Sequence, residues 1–135
     1  MGDVASLSRL TLPGDPVTAL HAVPKRYADA PRVVGLTDAA TVLVDATSGD
    51  IFTVTLGGNR TLGNPTGAVN GQKLLFRIKQ DATGGRTLTF DTKYRFGTDI
   101  TSVVLSTTAG KLDRVGVEYV ADVDKFDIIA VTRGY

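Results

Sequence analysis

The sequence predicts an all-β protein, an antiparallel β-sandwich or jelly-roll-like module preceded by a short N-terminal strand and a helical linker. Three observations predict it. Threonine and valine are abundant and 15 glycines punctuate the 135 residues, a composition that favours strands over long helices. Short β-branched runs recur about every ten residues with turn formers between them, the rhythm of sandwiches and barrels. From Gln72 to Gln80 the residues alternate, with Leu74, Phe76 and Ile78 on one face and Arg77 and Lys79 on the other, because successive side chains on a strand point to opposite sides.

The totals narrow the class further. A chain of this length builds one core, with at most a short appendage. Fifteen basic and 14 acidic residues leave a net charge of +1, so no global field points to nucleic acid or to an anionic membrane. Without cysteine there is no disulfide framework and no thiolate metal site. No stretch approaches the roughly 20 apolar residues of a membrane span, and the first residues lack the basic and apolar regions of a secretion signal. The expectation is a soluble protein that needs no cofactor.

Taken in order, Ser6–Leu12 reads as a short strand ended by Pro13 and Gly14. Asp15 can cap a helix whose first position is Pro16, and Pro24 breaks that helix and opens a second one to about Ala30. Strand-like runs follow at Arg32–Leu36, Ala40–Ala46 and Ile51–Leu56, the last with Phe52, Val54 and Leu56 facing inward. Gly57–Asn70 is a loop holding a brief strand near Arg60–Leu62. Gly71–Thr98 reads as a hairpin: one strand to Gln80, a turn over Asp81–Gly85, and a returning strand through Leu88 and Phe90. Thr101–Ser106, Leu112–Val120 and Phe126–Thr132 complete the strands, with a turn over Asp122–Lys125. The expected division is an attachment and linker segment at 1–35 and a β module at 36–135.

The final strand is apolar on both faces, which points to a subunit interface made by Phe126, Ile128, Ile129 and Val131. The cations of the hairpin, Arg77 and Lys79 among them, form a patch whose preferred reading is ion pairing with the acid-rich 113–127 segment. A ligand-binding reading of that region names Arg77, Lys79, Tyr94 and Arg95, with a host-surface glycan as the ligand. Asp122, Asp124, Asp127 and Glu118 offer oxygens for calcium, but their spacing matches no calcium loop and the expectation is no metal. His21 stands alone, without the partners a metal shell or a general base requires. No nucleophile with its base, no glycosidase carboxylate pair in a recognisable context and no nucleotide cradle is visible, so no catalytic residue is expected.

Two stretches carry a resemblance. In DPVTALHAVPKRYADA the residues Asp15, Pro16, Ala19, Leu20, Ala22, Lys25, Tyr27, Asp29 and Ala30 match a segment found in many phage tail-fibre and minor tail proteins. Gly71–Tyr135 is similar to terminal β modules of fibre-like or head-decorating phage proteins. The chain thus resembles appendage proteins of tailed bacteriophage particles. That resemblance implies a non-enzymatic homotrimer on the virion surface, held by its N-terminal segment (Asp15, Pro16, Ala19, Leu20, Lys25, Tyr27, Asp29) to other head or tail structural proteins. No collagen-like, coiled-coil or β-helical shaft is recognisable in the sequence.

Overall fold

The computed structural model describes residues 30–135, and the chain divides into two units, Met1–Ala30 and Pro31–Tyr135. The expected N-terminal strand and helical linker lie outside the described residues. Within them the protein is all-β and no helix forms.

The strands do not build an antiparallel sandwich. β1 (Val33–Gly35), β3 (Ile51–Leu56) and β5 (Lys73–Gln80) lie side by side and parallel. β2 (Thr41–Val42), β4 (Arg60–Leu62) and β6 (Leu88–Phe90) form a second, wholly parallel sheet. The chain crosses from one sheet to the other after each strand, so every pass lays a new strand beside the one before. The result is a short parallel coil of three turns, where the sequence showed no sign of a β-helical element. Two long strands then extend the larger sheet: β8 (Leu112–Val120) runs antiparallel to β5, and β9 (Lys125–Thr132) antiparallel to β8. β7 (Tyr94–Arg95) closes the margin beside β9, giving the order β1-β3-β5-β8-β9-β7.

The predicted hairpin is replaced by a corner between sheets. Gln80 is buried and its side chain takes the place of a ladder partner: Nε2 donates to the carbonyls of Arg86 and Ser106 at 2.8 Å, and Oε1 accepts the Arg86 N–H at 2.9 Å. Asp81 accepts from the Thr83 and Gly84 N–H groups and from the Arg86 guanidinium. Gly84 and Gly85 both take left-handed φ, of 75° and 70°, a conformation glycine adopts without steric cost. The chain therefore leaves the larger sheet at Gln80 and enters the smaller one at Leu88, so that the two runs read as hairpin arms never pair.

Strand alternation is borne out in β3 and β5. Phe52, Val54 and Leu56 of β3 and Leu74, Phe76 and Ile78 of β5 all point into the core. Parallel register stacks like on like: Phe52 is opposite Phe76 with ring centroids 5.7 Å apart, and Val54 is opposite Ile78. Val42, Leu62 and Leu88 from the smaller sheet enter the same cluster. Thr101–Ser106, expected as a strand, joins no ladder. It is held instead by Asp113, a buried carboxylate that accepts from the Ser106 N–H at 2.6 Å, the Ser106 hydroxyl at 2.8 Å and the Gly134 N–H at 2.9 Å. Three donors explain how this acid is tolerated inside the core.

Candidate functional site

Alternation that sends Leu74, Phe76 and Ile78 inward must send Lys73, Leu75, Arg77 and Lys79 to the outer face of the larger sheet. The antiparallel register of β8 places Glu118 beside Lys73, Gly116 beside Leu75, Arg114 beside Arg77 and Leu112 beside Lys79. Continuing across β9, Asp127 faces Glu118, Ala130 faces Gly116 and Thr132 faces Arg114. On the other side of β5, Thr53 is the neighbour of Arg77 and Thr55 of Lys79. The outer face thus carries three bands: a charged one of both signs at Lys73, Glu118, Asp127 and Arg95, an apolar one at Ile51, Leu75 and Ala130, and a basic one at Arg77, Lys79 and Arg114.

These bands differ electrostatically. In the mixed band Arg95 grips Asp127 with two bonds, of 2.7 and 2.9 Å, and the guanidinium holds that carboxyl below the usual aspartate range. At the neighbouring turn Lys93 pairs with Asp124 at 2.7 Å, and the Tyr119 hydroxyl donates to the same carboxylate at 2.7 Å. Those two donors depress the Asp124 pKa, the lysine being the stronger cause. The sequence suggests ion pairing of the hairpin cations Lys73, Arg77, Lys79, Arg86, Lys93 and Arg95 with the 113–127 acids; Lys93 and Arg95 form such pairs within the chain, Arg86 pairs with Asp81 instead, and among the described residues Lys73, Arg77 and Lys79 form none. Among the described residues the basic band has no such compensation. Arg114 lies over the Tyr135 ring, 4.6 Å from its centroid, and Arg77 Nε is buried with no hydrogen-bond partner.

The residues singled out from the sequence are distributed unevenly over this surface. Arg77 and Lys79 are together on the outer face. Tyr94 is not a surface aromatic: only 7% of it is exposed, and its hydroxyl donates to the Gly63 carbonyl. Arg95 is occupied by Asp127. Of the expected interface residues, Phe126 and Ile128 are buried in the chain's own core, and Val131 packs against that core from its edge. Alternation from the buried Phe126 and Ile128 sends Ile129 outward, 47% exposed and close to Gly116. The bulge between Ile128 and Ala130 reverses the faces beyond it, so that Ala130 joins Gly116 on the outer face and Val131 joins Val115 on the core face. Asp124 and Asp127, considered for calcium, are each held by a cation, and among the described residues no three His, Cys, Asp or Glu side chains converge. The attachment residues from Asp15 to Asp29 lie outside the described residues.

Arg114 is the member of the basic band that reading the sequence missed. Its signal was present, since alternation from Leu112 sends it opposite to Val115 and Val117. Only the pairing of β8 with β5 brings it against Arg77.

Residues 40–114 match the family model described as "Putative phage tail fibre C-terminal domain". The match runs from the first strand of the smaller sheet to the Arg114 of the basic band. Searches of curated proteins and of solved structures return no match. The chain therefore belongs to the phage tail fibre C-terminal domain family, and is a structural protein carried on the virion.

Proposed function

We propose that the chain works mechanically, as a homotrimeric fibre appendage. Its segment with Asp15, Pro16, Ala19, Leu20, Lys25, Tyr27 and Asp29 docks on neighbouring head or tail proteins, and the β module projects outward without enzymatic activity. The family match supports the appendage role. The observation that carries the trimer is the last strand. β9 pairs with β7 only at Phe126 and Asp127, so among the described residues its second edge has no strand partner from the bulge onward, and Ile129 stands out beside it. An open edge with an exposed isoleucine is an aggregation hazard unless a symmetric contact covers it.

Light scattering on a sizing column tests this reading. The expected result is a stable trimer, and Ile129→Asp is expected to release monomers that stay folded and unfold cooperatively, because Ile129 is outside the core, at a melting temperature lowered only by the lost association. A wild-type monomer at high concentration would overturn it.

A further inference from the structure

We propose that the basic band of the larger sheet is a binding site for an acidic polysaccharide, whose carboxylates bridge Arg77 and Arg114. The proposal deepens the fibre reading by naming a partner, yet binding is a property of the folded chain whatever its assembly.

Like charges placed directly opposite on paired strands repel. Arg77 and Arg114 hold such a position in neighbouring central strands. Lys79 adds a third cation on the same face one step along β5. Among the described residues Arg32, Arg60, Arg86 and Arg95 each hold an aspartate, whereas no carboxylate pairs with Arg77 or Arg114. The acid next to Arg114 in sequence, Asp113, points the other way and is consumed inside the core. Arg77 Nε is left as a buried donor without an acceptor, and native structures rarely leave such a group unused without a reason.

The geometry suits a planar oxyanion. A guanidinium presents a rigid fork that matches a carboxylate with two parallel bonds. The Tyr135 ring beneath Arg114 restrains one fork in advance. Thr53 and Thr132 flank the two arginines in the register row and supply hydroxyl groups that bond sugar oxygens. The surface is the face of an open sheet and not an enclosed cavity, which fits an extended polymer with repeated charges better than a small molecule. Neutral glycans are disfavoured because their hydroxyl groups leave the opposed guanidinium charges uncompensated.

The experiment is fluorescence anisotropy of a labelled alginate-derived oligouronate titrated with the full chain, with a neutral dextran oligomer as comparison. Saturable binding of the oligouronate alone is expected, weakening as salt rises to about 0.15 M. Arg77→Gln and Arg114→Gln are each expected to reduce affinity about tenfold or more, the loss of a charged hydrogen bond. Lys125→Gln removes the same unit of charge at a turn, where Lys125 bonds the Thr92 carbonyl, and is expected to bind as the wild type does. Relief of the opposed charges should leave both arginine variants folded, which a melting curve checks. Equal binding of dextran, equal loss in Lys125→Gln, or no saturable binding at low salt would overturn the proposal. So would an oligomer that fails to bind oligouronate and dissociates on Arg77→Gln, which would assign the band to a second copy. A monomeric wild type that still binds would refute the trimer and leave the site standing.

Discussion

The Tyr94 hydroxyl donates to the Gly63 carbonyl at 2.9 Å, joining the margin of the larger sheet to the exit of β4 in the smaller one. Its ring meets those of Phe76, Phe90 and Phe126. Burial pushes its pKa far above the ordinary 10.0, and the Asp91 charge adds to the effect. Tyr94→Phe keeps the ring packing and removes one hydrogen bond, so a loss of about 1–2 kcal/mol is expected in denaturant unfolding. Oligouronate binding should not change, since the hydroxyl faces the interior.

The two glycines at the corner after β5 should respond differently to alanine. Both have left-handed φ, which alone costs about 1–2 kcal/mol for a residue with a Cβ. At Gly84 the added carbon would also lie 2.6 Å from the Thr107 carbonyl oxygen and 2.8 Å from the Ala109 nitrogen, whereas at Gly85 it meets nothing within 4 Å. Gly85→Ala is therefore expected to lower stability by about the conformational cost, and Gly84→Ala by clearly more, because backbone has to move. Equal losses in urea unfolding would show that Thr107 and Ala109 yield freely.

Asp113→Ala removes the acceptor of three donors at once, two from Ser106 and one from Gly134. A loss of roughly 3 kcal/mol is expected, because hydrogen bonds to a charged group are among the stronger ones and three donors lose their acceptor together. Hydrogen exchange should localise the effect. The Ser106 and Gly134 amides lose protection first, while those of β3 and β5 change only with global stability.

Acid should loosen the corner before the core. The Arg86 guanidinium, with the Gly84 and Thr83 amides, holds Asp81 at about 2, below the usual 3.8. Its folded pKa being depressed, the carboxylate contributes its stabilisation in full above the unfolded value, and loses it as pH falls through the folded one. The melting-temperature difference between wild type and Asp81→Asn is therefore expected to be constant at neutral pH and to close between about pH 4 and pH 2. Little difference between the two already at neutral pH would assign the corner's stability to the amide bonds that asparagine can still accept.

Much of the local structure was legible in the residues. Alternation in β3, β5 and β8 identified which side chains face the core, because strand periodicity is written within a few consecutive residues. The Asp81–Gly85 run was also legible as a turn. Its direction was not, since the Gln80 side chain decides it by bonding to Arg86 and to the distant Ser106. The end of the 101–106 segment is fixed in the same way: the side chains of Asp113 and Gln80 bond the Ser106 N–H and carbonyl, groups that a ladder would otherwise have served.

What the sequence by itself determined is the strand content, the two faces of each long strand, and the resemblance to phage appendages that the match over residues 40–114 supports. Only the tertiary structure decided which strands are neighbours. That choice made the coil parallel, withdrew Phe126 and Ile128 into the core, turned Val131 toward it at a bulge, and set Arg114 against Arg77. The physical reason is range. A side chain's face depends on its nearest neighbours along the chain, whereas partner and register depend on contacts between residues far apart in sequence, such as Arg77 and Arg114, whose juxtaposition no local pattern encodes.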